Sequence, residues 1–248
     1  MPRIAIFAAL QWECRAVLQQ MRQTFRERAG EFTLWHGYTP GGEVVLVKTG
    51  MGMTQAAGAA GAIRDRGEFE LFLSTGCAGA LAADLIPGDV AVATAIVLSH
   101  SRDQFETHRE HRLRAQRVAE RAALRVKTGR VLCTPHALAT AEQKRAAAVQ
   151  HGAVAVEMEG ASIAAEAAAR GIPFVAVRTV LDTADTELRH AGRFVDPRTG
   201  AVKPLALAGY LATHPSVLPD LLATQRMMHA AQTSLERFFA AWFSTLDS

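Results

Sequence analysis

Ala153-Val154-Ala155-Val156-Glu157-Met158-Glu159-Gly160 is a short apolar run that ends in two carboxylates. Gly160-Ala161-Ser162-Ile163-Ala164-Ala165-Glu166 follows at once with the character of a helix. A buried strand that passes directly into a helix is the unit of an α/β fold. Charge at the end of such a strand is costly unless it is paired or used. A second apolar strand ends the same way, Pro173-Phe174-Val175-Ala176-Val177-Arg178-Thr179-Val180-Leu181-Asp182. A third, Arg3-Ile4-Ala5-Ile6-Phe7-Ala8-Ala9, leads within a few residues to Glu13. Acids just beyond three apolar strands point to one site along one sheet edge, where α/β folds bind ligands.

The bulk properties agree with that reading. A chain of 248 residues fits one α/β domain, and 49% hydrophobic residues can build a large core. A net charge of +3 gives no strong field, so nucleic acid is not an expected partner. No stretch has the length of a membrane span, and the N-terminus enters a strand pattern without a signal peptide. Three cysteines, Cys14, Cys77 and Cys133, are an odd and sparse set. They fit a reducing, cytoplasmic setting without a disulfide framework.

Strands are predicted over 3–9, 43–48, 70–75, 89–98, 130–133, 153–158 and 173–180, and helices over 12–27, 53–66, 140–150, 159–170 and 217–243. Several strands are continuous apolar runs, as in a sheet covered on both faces. Gly67, Gly152 and Gly171 follow three of the helices, where a left-handed cap residue is expected. Strand–helix alternation gives an α/β layer sandwich, and no repeat or linker divides the chain. Segment 100–127 interleaves arginines with acids and reads as a solvated helix or an interface element rather than a nucleic-acid face. The leucine- and aromatic-rich tail after Pro204 reads as a helix packed on the domain.

Ser74-Thr75-Gly76-Cys77-Ala78-Gly79-Ala80 reads as a loop after an apolar strand, and its glycines allow the backbone to approach a ligand. It is neither a Walker loop nor a nucleophile elbow. Gly50-Met51-Gly52 lacks the third glycine of a dinucleotide fingerprint, because Gln55 stands there. Cys77 has no histidine at a diagnostic spacing, so a small buried cysteine is the plainer reading. His100, His108 and His111 with Glu110 lie on a charged segment and read as a solvated face, so no metal is implied. His136 and His190 lie near proposed loops and remain ligand contacts to test.

Glu13, Glu159 and Asp182 carry the stronger case. Splitting a C–N glycosidic bond needs a base for the nucleophile, a grip on the sugar hydroxyls and a proton for the leaving purine. Each carboxylate can instead cap a helix, Asp182 ahead of Thr183-Ala184 and Glu159 ahead of Gly160.

These residues resemble the nucleoside phosphorylase superfamily with the purine phosphorylase fold, and most of all its 5′-methylthioadenosine/S-adenosylhomocysteine nucleosidase branch. The resemblance runs over about residues 3–194. It is carried by Ile4-Ala5-Ile6 to Glu13, Lys48-Thr49-Gly50-Met51-Gly52, Ser74 to Gly79, Pro87-Gly88-Asp89-Val90, Ala155 to Glu159, and Pro173 to Asp185. The implied fold is a central mixed β-sheet flanked by helices, a three-layer sandwich that assembles as a homo-oligomer. The implied substrate is a purine nucleoside, with no cofactor. By this resemblance Asp182 protonates the adenine, Glu159 holds the ribose 2′- and 3′-hydroxyls and Glu13 orients and deprotonates water. Met158 packs under the sugar, Ala78 and Gly79 lie along the base, and Met51 and Leu10 shape the pocket for the 5′ substituent. Glu157, Cys77 and Phe194 join the substrate-binding set, and His136 takes the place of the base-stacking aromatic. The sequence departs from the branch at Cys77 and Leu181, where the pattern has serines.

Phosphate as the nucleophile needs arginine clamps. The first loop, Ala8-Ala9-Leu10-Gln11-Trp12-Glu13, has none, and neither do Leu73, Ser74 and Thr75. A carboxylate at position 13 repels phosphate and suits water, which favours hydrolysis. A phosphorylase, including the hopanoid-associated kind whose tail this C-terminus resembles, is the alternative. A non-catalytic nucleoside-binding protein is the third reading, and the retained acids at 13 and 182 count against it.

Overall fold

The computed structural model describes residues 2–187 and 218–244. Its elements in chain order are β1 (Arg3–Ala8), α1 (Gln11–Leu18), β2 (Arg22–Ala29), β3 (Phe32–Thr39), β4 (Gly42–Lys48), α2 (Met53–Gly61), β5 (Leu71–Ala80) and β6 (Val90–Leu98). There follow β7 (Gln104–Glu106), α3 (Arg109–Arg121), β8 (Val126–Cys133), α4 (Ala141–His151), β9 (Ala153–Glu157), α5 (Gly160–Ala169), β10 (Phe174–Asp182) and α6 (Leu218–Ser244).

The apolar runs pair into one mixed sheet with the order β10-β6-β8-β9-β5-β1-β4-β3-β2, and β7 lies on β6. An additional β10–β5 pairing closes β5, β10, β6, β8 and β9 into a ring. β5 therefore has three neighbours: β1 and β10 run parallel to it and β9 antiparallel. Register places Asp182 beside Gly79, and Gly79 beside Val156, one residue before Glu157. The closure thus draws the ends of β9 and β10 to the far end of β5.

Helices cover both faces, as the continuous apolar strands require. On one side the alanines of α2 (Ala56, Ala59, Ala60) and of α5 (Ala161, Ala164, Ala167) share a core with Phe7, Phe72 and Phe174. On the other side Val17 of α1, Val118 of α3 and Leu235, Phe238, Phe239 and Trp242 of α6 pack on Ile6, Leu73 and Val177. Trp242 is fully buried, with the Arg114 guanidinium 4.1 Å from its ring centroid. Trp242→Ala removes the largest side chain of this core and is expected to cost about 3–5 kcal/mol. A denaturation midpoint left unchanged would contradict that placement of α6.

The helix expected over 12–27 stops at Leu18, and β2 and β3 form a hairpin that the sequence did not announce. Gln23 adopts φ 52°, and the β2–β3 register shifts between Arg22 and Phe25, so a helix does not continue through this point. β2 is an edge strand exposed along nearly its whole length, and it carries no apolar alternation to read. The loop expected at 74–80 is instead the second half of β5, held in the ladder by β10. Segment 100–127 contains β7 and α3, and α3 buries Ala115, Val118 and Ala119 beneath its charges. The tail helix is present as α6 and packs on the sheet.

Candidate active site

Glu13 sits in the first turn of α1 and is 2% exposed. Its Oε2 accepts the amides of Ala9 (2.9 Å) and Leu10 (2.8 Å), and its Oε1 accepts the amide of Cys77 on β5 (2.9 Å). Glu13 is therefore a helix cap as well as a site candidate. Oε2 has both lone pairs occupied by amides, and the Cys77 thiol adds a side-chain hydrogen bond to the carboxylate. Burial raises its pKa, against the pull of the amides and of the Arg178 charge. The contact with β5 requires Gly76, at φ 143°, because a Cβ there would stand 2.8 Å from Oε1.

Glu157 and Glu159 divide two tasks that their sequence neighbourhood does not separate. Glu157 Oε2 accepts the amides of Glu159 (3.0 Å) and Gly160 (2.7 Å), so Glu157 caps the start of α5. The same oxygen takes Arg178 Nη2 at 2.6 Å, while Oε1 is buried without a partner. Arg178 also donates to Ser74 Oγ at 2.7 Å. Glu159 precedes α5 but makes no side-chain cap. Its Oε1 instead accepts the amide of Gly52, 2.6 Å away at the start of α2. Burial, then the Glu157 charge, push Glu159 up to about 8, with Gly52 and Arg178 opposing.

Asp182 ends β10 and is buried. It does not cap a described helix; its Oδ2 bonds Lys144 Nζ of α4. Burial raises its pKa and Lys144 opposes the rise. Its carboxylate oxygens would lie 3.4 Å from a Cβ at Gly79. Gly79 and Cys77 are two residues apart on β5, roughly 7 Å along a strand. Asp182 and Glu13 therefore flank one stretch of backbone of about the length of a sugar–base unit.

Arg178 ties the remaining acids together, since its charge lowers the pKa of both Glu13 and Glu159. Glu13, Cys77, Glu157, Glu159 and Arg178 form one electrostatic cluster. Burial first, then the charges of Glu13 and Glu159, push the Cys77 thiol well up, which removes a thiolate nucleophile at neutral pH. Ala78 is buried, while Leu10, Met51 and Met158 are half-buried at the ends of the same segments. His136 is exposed on the loop after β8, where its carbonyl accepts from Thr134 Oγ1 at 2.9 Å. Phe194 and His190 lie outside the described residues.

Two functional candidates escaped the sequence reading. Arg178 stood in plain view, because a cation inside Val175-Ala176-Val177-Arg178-Thr179-Val180 demands a buried partner. Lys144 gave no signal within Ala141-Glu142-Gln143-Lys144-Arg145, which reads as a solvated helix face. Arg178→Met strands the Glu157 carboxylate and is expected to destabilise by about 3–5 kcal/mol. Unchanged thermal melting would show the pair to be dispensable.

The family model described as the phosphorylase superfamily matches residues 3–203. The chain belongs to the phosphorylase superfamily. Within that superfamily it is 26% identical over 201 residues to the 5′-methylthioadenosine/S-adenosylhomocysteine nucleosidase of Actinobacillus succinogenes, covering 75% of this chain and 87% of that protein. The nucleosidase of the same name from Bacillus licheniformis is 28% identical over 203 residues, with coverage of 75% and 87%. The Neisseria meningitidis nucleosidase in complex with methylthio-immucillin-A shares the superfamily fold at a TM-score of 0.78 and 20% identity, over 98% of each chain. The expected mixed sheet flanked by helices is thus the fold observed.

Proposed function

We propose that this protein cleaves the N-glycosidic bond of an adenosine-type purine nucleoside and that water is the nucleophile. The reading is carried by one observation: buried carboxylates gather around residues 76–79 of β5 from three separate parts of the chain. The named nucleosidases among its relatives support it.

In this reading Asp182 is the general acid. The glycosidic electron pair moves to the purine as the bond breaks, and Asp182 supplies the proton that neutralises it. Glu159 accepts hydrogen bonds from the ribose hydroxyls, which become better donors as positive charge builds on the ring. Glu13 presents its carboxylate to the attacking water. The amides of Ala9, Leu10 and Cys77 fix that carboxylate in advance. Met158 lies beneath the sugar, Ala78 and Gly79 along the base, and Leu10 and Met51 beside the 5′ group.

Charge complementarity favours water over phosphate. Arg178 is the cation of the cluster, and Glu157 already occupies it. A phosphate dianion would enter beside Glu13 and Glu157, and the cluster holds no second guanidinium to receive it. The deciding experiment follows the product from a panel of adenosine 5′-derivatives. Free sugar, a ribose still carrying its 5′ substituent, formed without phosphate supports the proposal; sugar 1-phosphate formed only when phosphate is added overturns it.

One folding domain, a cytoplasmic setting and a homo-oligomer complete the proposal. Among the described residues no helix is long and apolar enough to cross a membrane. Light scattering of the purified protein tests the oligomer.

A further inference from the structure

Lys144 is fully buried on α4, and its three ammonium protons are all committed. One goes to Asp182 Oδ2, one to the Thr183 carbonyl at 2.8 Å and one to the Thr186 carbonyl at 2.9 Å. The turn it grips is closed on itself: Thr186 donates its amide to the Thr183 carbonyl (3.1 Å), and the two hydroxyls lie 2.8 Å apart. The base of Lys144 is equally fixed. Thr140 and Gln143 form a reciprocal capping box at the start of α4, with Gln143 N–H donating to Thr140 Oγ1 at 3.2 Å. A lysine side chain surrenders most of its rotamer freedom and its hydration in such a place, and the carboxylate must compensate for both.

We propose that Lys144 is the positioning residue of the leaving-group acid: it holds the Asp182 carboxyl beside Gly79, pins the 183–186 turn behind it, and faces the negative charge left on Asp182 when its proton passes to the purine. This inference rests on the nucleosidase reading above. The step balances without another reagent. The C–N electron pair goes to the base, the Asp182 proton goes to a base nitrogen, and Asp182 becomes a carboxylate against the Lys144 ammonium. The new C1′–O bond forms to water, whose released proton passes to Glu13 and from there to solvent, and solvent returns a proton to Asp182 once the base has left. Attraction between Lys144 and Asp182 grows during the transfer, so it lowers the barrier rather than only the ground state.

Burial alone makes Asp182 a weak acid, and Lys144 brings its proton back within reach. Few other groups intervene. The residue facing Asp182 from β5 is Gly79, and Val156 lies beside it from β9, neither of which titrates. Arg145 of α4 and Asp185 of the turn pair with each other at the surface, 3.2 Å apart. Arg178, on β10 itself, is engaged by Glu157. Activity that needs protonated Asp182 is lost as pH rises through the Asp182 pKa. Removing the cation raises that pKa, so the alkaline limb of the pH–rate profile moves to higher pH.

The test compares two substrates in the same preparation of Lys144→Met, so that any loss of folded protein cancels. One is adenosine, whose base leaves only when protonated; the other is 4-nitrophenyl riboside, whose phenolate leaves unaided. On adenosine kcat is expected to fall about 100-fold and the alkaline limb to shift upward; on the nitrophenyl riboside the loss stays within about three-fold. Lys144→Arg keeps the charge and is expected to keep the wild-type limb. Equal losses on both substrates, or an unmoved limb in Lys144→Met, would overturn the inference while leaving the nucleosidase reading intact. Wild-type protein that releases base from no nucleoside would overturn both.

Discussion

Asp182→Asn protein is expected to bind adenine but to release it from a nucleoside on the order of 1,000-fold more slowly than wild type. The carboxamide has the shape of the acid and none of its proton, so the glycosidic electrons must leave on an uncompensated purine anion. A loss of that size is roughly 4 kcal/mol of transition-state stabilisation. The substitution also has a structural cost. Lys144 loses its counter-ion while buried, and the two threonine carbonyls that remain do not neutralise it. A lowered melting temperature is therefore expected alongside the lost turnover. Calorimetric titration with adenine separates the two effects, because in the proposed site a folded variant still offers the backbone of Ala78 and Gly79 to the base. Near-normal turnover would remove Asp182 from the chemistry altogether.

Glu159→Gln is the second large effect, expected to lower kcat/KM by about 100-fold or more. The glutamine accepts one hydroxyl where the carboxylate accepts two, and it brings no charge to meet the one forming on the sugar. The carboxyl is held up near pH 8 by burial and by its neighbour Glu157, so at neutral pH it is largely protonated before substrate arrives. Ionisation then improves its grip on the hydroxyls. The wild-type profile of kcat/KM accordingly rises with pH through about 8 on its acid side. In Glu159→Gln the residual rate lacks that rise. A rise that persists belongs to another group, and Glu159 would lose its assignment.

The strands that carry the site were legible because they are buried on both faces. Ile4 to Ala8 and Ala153 to Val156 are unbroken apolar runs, Leu71 to Leu73 and Phe174 to Val177 open the other two, and all four lie in strands, although β5 runs on to Ala80. Arg22 to Ala29 was not legible, since an exposed edge strand leaves no burial pattern in the residues. The ring closure was hidden for another reason. Pairing of β10 with β5 joins residues as far apart in the chain as Phe72 and Phe174, and the positive φ of Gly76 becomes meaningful only once Glu13 is seen to fill the space a Cβ would take.

The acids themselves were visible, but their tasks were not. Glu157 and Glu159 are two residues apart, and side-chain alternation does not say which one turns back to cap α5. Helix capping was the alternative role for Asp182 and Glu159; the structure gives capping to Glu13 and Glu157. Lys144 is the clearest gap. Its partner lies 38 residues away, and only the tertiary fold turns an ordinary surface lysine into a buried one.

The carboxylates of Glu13 and Glu159 are both aimed by main-chain amides, those of Ala9, Leu10, Cys77 and Gly52. Main-chain donors do not change with the side chain that carries them, so these contacts tolerate substitution at Ala9 and Leu10 better than at Gly76, where a Cβ would meet Glu13 Oε1. Heat acts differently. Once β5 parts from β1 and β10, those amides lose their common frame and both oxygens go astray together. Inactivation on warming is thus expected to accompany melting of the central strands.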